Sequence, residues 1–444
     1  MFTFVVLPFA FDFEAQAAGQ GDYVKVGLKY GSGSVASCTI ESKCGFILGT
    51  ALDRAFQEGM PLPAYTKITA SNESGNIVIR DENGVLLSSD LGSSGCIMPA
   101  DYGDEGMLSL DGAKYRDGVT FIAKTNGTMT VINYLTLEHY VYGVLNSELG
   151  YTNPIEALKA QAVAARSFGE LNIGKHAADG FDLCTTTNCQ VYKGVAGEYP
   201  SIIEAVDGTR GEMIRYNGEP VTAFYFKNGG GYTQNSEDVW SGTQPYLRSV
   251  KDEYCPSYPW STSLSFDAIR TKLEAAGFQP GNVESVSITG RNDTGAVAEL
   301  KIQGSGATVY LRKDNIRAVL GATLVKSTVF ELADCTTAGS SGWKISSGIS
   351  VATPDKDVYV INGSETVKKL DDENVYGYNG SATVKLGAGS GSAVQTVTGG
   401  TAVFNGFGYG HGVGMPQDSA VEMAKQGFTY EEILKYYYTD IEID

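Results

Sequence analysis

The chain reads as an α+β protein: β-rich for most of its length, with helices gathered in a block around residues 137–174 and a β-rich segment inserted late. Three observations predict this. Short runs rich in β-branched and aromatic residues, such as Tyr23–Leu28, Asn76–Arg80 and Val119–Ala123, are separated by turn signals that include Asn83-Gly84 and Asn126-Gly127. Apolar residues recur at helical spacing over Leu137–Leu145 and again over Leu158–Phe168. Strand patterns then return, and Met213–Tyr216 and Val221–Phe226 flank a hairpin signal at Asn217-Gly218.

The N-terminus, MFTFVVLPFAFDFEAQAAGQGD, carries an apolar run ahead of Ala15-Gln16-Ala17, the pattern of a signal peptide over residues 1–19. No Lys or Arg precedes the run, so a buried N-terminal strand is the competing reading. Residues 20–110 form a β-rich N-terminal region in which Leu48–Gln57 reads as a short helix. Met129–Tyr134 is a strand leading into the helix that begins at Leu137. The next helix opens at Asn153-Pro154-Ile155-Glu156, with Asn as N-cap, Pro at the first helical position and Glu closing a capping box; Gly174 is its stop. Phe266–Ala276 is a helix ended by Gly277, and residues 285–332 read as strands. Residues 334–400, rich in Gly, Ser, Thr and Val, read as an inserted β element or a long surface loop. Gln417–Lys425 is a helix with Gly427 at its end, and Thr429-x-x-Glu432 caps the last one.

With 444 residues the chain holds roughly two or three domains' worth of material. A formal net charge of −18 argues against nucleic acid and anionic lipid as general partners and is compatible with a glycan. The 26 Tyr and 18 Phe suit sugar stacking and sheet cores equally. The signal-peptide pattern makes the mature protein read as exported and extracytoplasmic, and beyond the N-terminal run no stretch is long and apolar enough for a membrane helix, so it reads as without a transmembrane segment. The cysteines number seven, an odd count; Cys38 and Cys44 are close enough in sequence to pair, while Cys96, Cys255 and Cys335 are isolated.

Glu148 stands at the break between the two helical patterns. Taken alone it is an ordinary solvated loop acid. Its surroundings, LTLEHYVYGVLNSELGYTNPIEALKAQAVAARSFG (135–169), are followed by CTTTNCQVYKG (184–194), AVDGTRGEMIRYNGEPVTAFYF (205–226), GGYTQNSEDVWSGTQPYLRSV (230–250) and GYGHGVGMPQDSAVEMAKQGFTYEEILKYYY (408–438). These five ordered blocks resemble the stage II sporulation protein D family, which includes the amidase-enhancer proteins of bacterial cell walls. The resemblance implies a core over residues 111–333, completed by 401–444 after the insertion at 334–400. It also implies a peptidoglycan lytic transglycosylase acting on glycan strands, with the preference of sporulation members for peptide-stripped ones, and with Glu148 in the place of the catalytic acid.

One carboxylate suffices for such a reaction. Glycoside hydrolases generally need two, one as acid and one to activate water or attack carbon. In a lytic transglycosylase the acid protonates the glycosidic oxygen after N-acetylmuramic acid. The resulting carboxylate takes the proton of that sugar's own C6 hydroxyl, and attack by O6 closes a 1,6-anhydro ring without water. The glutamate must therefore be protonated near neutral pH, which burial can arrange; Leu145, Leu149, Tyr142 and Tyr151 provide an apolar setting. The other acids nearby have structural jobs: Glu138 opens a helix and Glu156 closes the capping box.

The same resemblance places Gln161, Arg166, Gln190, Tyr192, Lys227 and His411 along the substrate groove. Arg166 reads equally as a ligand for an acetamido or lactyl group and as a salt-bridge residue, Tyr192 equally as a core aromatic, and His411, between two glycines, as a structural histidine. Lys159 reads as surface and His139 as structural. His176, Cys184 and Cys189 form a candidate zinc site, with water or Asp182 as fourth ligand; a Cys184–Cys189 disulfide is the alternative. Lys227, Asn228 and Gly229 occupy positions where many relatives carry hydroxyl residues. That departure keeps a second function open, a non-catalytic wall-binding enhancer of an N-acetylmuramoyl-L-alanine amidase.

Overall fold

The computed structural model describes residues 23–52, 54–101, 106–333 and 395–444, together with the backbone of short strands between 336 and 394. The signal-peptide expectation for residues 1–19 lies outside the described residues, as do Cys335 and most of 334–393. The chain is of the expected α+β class, and it divides into two compact units: the residues up to Thr152 with Ala165–Gly211, and Asn153–Ala164 with Glu212–Asp444.

In the first unit a seven-stranded sheet runs in the order Leu183–Cys184, Tyr23–Lys29, Met129–Thr136, Gly118–Ala123, Gly95–Pro99, Phe46–Leu52, Ala55–Leu62. All neighbours are antiparallel except Leu183–Cys184, which pairs parallel to the first strand through Gly27 and Cys184. A six-stranded antiparallel sheet adds a second layer. The core contains inward residues of both, among them Ile40, Phe46, Ile68, Ile79, Ile97, Phe121 and Val131, each buried. Asn83-Gly84 and Asn126-Gly127 make turns as expected, with Gly84 and Gly127 at φ +83° and +81°.

Leu48–Gln57 is a correction. It forms the hairpin Phe46–Leu52/Ala55–Leu62, turning at Arg54 with φ +60°. The apolar spacing there also suits a central strand paired on both sides. The guanidinium of Arg54 secures the turn by donating to the Tyr23 carbonyl and to both carboxylate oxygens of Glu170. Cys38 and Cys44 are also corrected: both are free thiols, and Cys38 is a core residue.

The strand Met129–Thr136 feeds helix α1 (Leu137–Glu148), capped by Thr136 Oγ1 accepting the His139 N–H at 3.3 Å. Helix α2 (Ile155–Leu171) belongs to the second unit up to Ala164 and to the first from Ala165. The first unit ends with α3 (Pro200–Asp207), which starts on Pro200.

The second unit holds α4 (Ser236–Val239), α5 (Phe266–Ala275), α6 (Asn315–Leu320), α7 (Gln417–Lys425) and α8 (Tyr430–Tyr437). The Asn217-Gly218 hairpin is present, with Tyr216 opposite Glu219. A five-stranded and a three-stranded sheet close on a core that includes Trp260, Ile269, Leu300, Ile316 and Phe404. Thr429 and Glu432 form the expected capping box. Between 345 and 386 the described backbone forms three two-stranded antiparallel ladders.

Candidate functional site

Glu148 is the last residue of α1. The helix closes with the Leu149 N–H on the Leu145 carbonyl, and Gly150 turns away at φ +83°. This terminal position leaves the Glu148 side chain half-buried rather than enclosed between apolar faces. Its Oε1 accepts the Val191 N–H at 3.3 Å. Tyr142, expected beside it, is buried and bonds Asp207 at 2.5 Å. Tyr151 is exposed and stacks on Tyr199 with centroids 3.8 Å apart.

The loop that brings Val191 to Glu148 lies against α1 at a backbone-to-backbone contact. The Gly143 carbonyl accepts the Lys193 N–H at 3.0 Å. A Cβ on Gly143 would stand 2.3 Å from the Tyr192 ring, and one on Gly197 would stand 2.7 Å from the Gly143 oxygen. Tyr192 is buried, donates to Asn133 Oδ1 at 2.7 Å and stacks on Tyr140. Gln190 is buried as well; its Oε1 accepts the Tyr140 hydroxyl at 3.0 Å and its Nε2 donates to the Ala165 carbonyl. Burial, with the charges of Cys189 and Glu148 behind it, holds the Tyr140 hydroxyl well above its ordinary range, so it stays a donor.

Gln190 and Tyr192 thus position the loop; they are too enclosed to line a groove. Arg166 packs as in the salt-bridge alternative. It is fully buried, its guanidinium donates to both carboxylate oxygens of Glu138 at 2.8 and 2.7 Å, and it also reaches the Val206 carbonyl. Glu138 further accepts the Gly211 N–H, so its work is structural. In the second unit, Gln161 is fully buried and accepts from Gln417 Nε2 at 3.3 Å. Glu156 accepts the Tyr430 N–H and pairs with Lys159, and Lys227 pairs with Asp418 at 2.7 Å.

His176, Cys184 and Cys189 do converge: their ligand atoms lie within 4.8 Å of one another, and both thiols are free. His176 Nε2 stands 3.5 Å from Cys189 Sγ, while Nδ1 faces Asp179 Oδ2 at 3.7 Å. At 3.7 Å the exposed Asp179 is an ion-pair neighbour of the ring, not a hydrogen-bond partner. Burial pushes the Cys184 thiol up, but hydrogen bonds with Thr186 and Cys189 and the charge of His176 outweigh it and bring the group down to about 7. Cys189, by contrast, is raised by burial. Asp182 is not among the converging ligand atoms; its two oxygens accept the Lys25 and Gly174 N–H groups. The donor set therefore fits zinc with the fourth position open. Val191 escaped the sequence reading because it acts through its backbone and offered no side-chain signal.

His411 lies in the second unit, ringed by Phe224, Phe226 and Trp240 at 6.1, 5.3 and 5.1 Å. Its Nδ1 accepts the Val413 N–H at 3.1 Å. Burial, aided by the charge of Arg317, lowers its pKa to about 3. His411 is a neutral, half-buried histidine whose Nδ1 is fixed by the Val413 N–H.

The folded chain keeps this ring neutral down to about pH 3, the unfolded chain only to 6.5. The stability it contributes is complete above pH 6.5 and is lost as pH falls from there toward 3. The difference in urea stability between the wild type and His411→Phe should therefore narrow on acidification over that window, by up to about 1.4 kcal/mol per pH unit. A difference independent of pH would refute this placement.

A family model described as "Stage II sporulation protein" matches residues 125–216, which hold Glu148 and the His/Cys/Cys cluster. A second, described as a domain of unknown function, matches residues 252–348. The stage II sporulation protein D of Bacillus subtilis (strain 168) is 31% identical over 328 residues, covering 70% of this chain and 75% of that protein. An uncharacterized protein of Brachyspira hyodysenteriae is 31% identical over 339 residues, 76% of this chain and 74% of its own. The amidase enhancer of B. subtilis is 28% identical over 357 residues, which are 78% of this chain but only 46% of that protein.

Proposed function

This chain belongs to the stage II sporulation protein D family, and on that premise we propose that it is an exported peptidoglycan lytic transglycosylase with Glu148 as its single acid and base. The observation that carries the reading is the presentation of Glu148: a half-buried carboxyl at the end of a rigid helix, with Oε1 held by a backbone N–H from a loop locked against that helix. In the proposed reaction such anchoring would restrict the orientation of the carboxyl toward the scissile bond. The protonated carboxyl gives its proton to the oxygen linking N-acetylmuramic acid to the next N-acetylglucosamine as the C1–O bond breaks. The carboxylate then accepts the C6 hydroxyl proton, and O6 bonds to C1. Atoms balance without water, and the product ends in 1,6-anhydro-N-acetylmuramic acid.

The full chain incubated with peptide-stripped glycan strands should release anhydro-ended fragments by mass spectrometry. Glu148→Gln should slow that release by about 10²–10⁴-fold. Intact glycan in both samples, with binding retained, would sink the enzyme reading. The second reading, an enhancer of a wall amidase, is favoured by Lys227, which stands where relatives carry a hydroxyl and is tied to Asp418.

His176, Cys184 and Cys189 would hold zinc. Bound there, zinc supplies a cross-link that keeps the loop in place two residues before Val191. Chelation of the purified protein should release zinc, expose two thiols to titration and slow glycan cleavage. A metal-free protein with a Cys184–Cys189 disulfide and unchanged cleavage would contradict the assignment.

A further inference from the structure

We infer that the second unit carries a binding site for a carboxylate-bearing ligand with a sugar or apolar face, centred on Lys326, Tyr258 and Tyr409. The Lys326 ammonium lies 5.3 Å from the centroid of the Tyr258 ring and 5.6 Å from that of Tyr409. The two rings are 6.1 Å apart and tilted by 41°. All three residues are half-buried.

The charge of this lysine is unspent within the fold, and its ammonium stands over two aromatic rings. Acidic residues outnumber basic ones 51 to 33, and two other half-buried lysines use their charge inside the fold: Lys159 on Glu156, Lys313 on two backbone carbonyls. Among the described residues the Lys326 ammonium has no carboxylate partner and donates no hydrogen bond, and neither phenolic hydroxyl has a partner. An ammonium over two aromatic faces is partly shielded from water, so an arriving carboxylate gains more there than at an open surface lysine.

The cluster is preorganised by its backbone. The Gly408 N–H donates to the Tyr258 carbonyl and the Gly410 N–H to the Lys326 carbonyl, both at 2.9 Å, while Asn228 and Tyr409 exchange both backbone hydrogen bonds. Beside it lies a cleft of about 360 Å³ lined by Pro259, Trp260, Ser261, Asn405, Gly406 and Phe407. The chain runs directly from Tyr258 into Pro259 and from Phe407 to Tyr409. Asn405 Oδ1 accepts the Ser261 hydroxyl, which leaves the amide donors of Asn405 facing outward. An apolar floor, an amide and an adjacent cation suit one sugar residue bearing an acid. The site gives a role to the region that matches only a domain of unknown function.

In a cell wall the acid has two sources, the lactyl carboxylate of stripped N-acetylmuramic acid and the carboxylates of the stem peptide. That the ligand is a wall component rests on the proposed function; recognition of a carboxylate does not. Titration calorimetry on the full-length Glu148→Gln protein reads binding without turnover. The probes are N-acetylmuramic acid, its methyl ester and the dipeptide L-alanyl-D-glutamate. A free acid, sugar or dipeptide, should bind about tenfold or more tightly than the ester, the size of one charge-assisted hydrogen bond. Lys326→Met should erase that preference, and Lys326→Arg should keep it. The tighter of the two acids names the source. Equal binding of both acids and the ester, or a preference that survives in a folded Lys326→Met protein, would overturn the site. Glycan cleavage by the Glu148 protein is scored separately, so a chain that cuts nothing yet shows the Lys326-dependent preference loses the enzyme reading and keeps this one.

Discussion

The candidate active site depends on one steric constraint, the contact of α1 with the 190–197 loop at Gly143 and Gly197. Neither position has room for a methyl group. Because the backbones touch, Tyr192 lies against the helix, Gln190 reaches the buried Tyr140 hydroxyl, and the intervening Val191 N–H meets Glu148. Alternation along an extended segment does the rest: Gln190 and Tyr192 point inward. The loop begins at Cys189, so whatever fixes the His176/Cys184/Cys189 cluster also fixes the start of the segment that holds the acid.

Charge is used in the first unit chiefly to hold this geometry. Arg166 and Glu138 form a bidentate pair with the guanidinium fully buried, and Arg116 and Glu198 form another with both side chains under 10% exposed. Pairs so desolvated add little net stability over apolar packing, but removing one partner strands a buried charge. They therefore penalise alternative placements of α1 and α3 more than they stabilise the native one. Arg317 and the aromatic ring around His411 do related work in the second unit, keeping an imidazole neutral and fixed.

Much of this was legible in the sequence. The helix stop at Gly277, the helix start at Thr429 and the turns at Asn-Gly pairs follow from local sterics and capping that short windows encode. The convergence of His176, Cys184 and Cys189 followed from spacing and ligand chemistry. Burial did not. Arg166, Gln190 and Tyr192 carry polar groups that suit a groove, and nothing local says those groups are consumed inside the fold by Glu138, Tyr140 and Asn133. The hairpin at Leu48–Gln57 failed for a like reason, since its strands are stabilised by partners distant in sequence. The Lys326 cluster was invisible because Tyr258, Lys326 and Tyr409 come from three separate segments.

The most direct test of the account is amide hydrogen exchange at Val191, measured in the wild type and in Gly143→Ala. The account predicts a protected Val191 amide in the wild type. In Gly143→Ala that protection is lost while the amides of the seven-stranded sheet remain protected, and glycan cleavage falls with it. A Val191 amide that exchanges freely in the wild type, or one that stays protected in Gly143→Ala with cleavage unchanged, would contradict it.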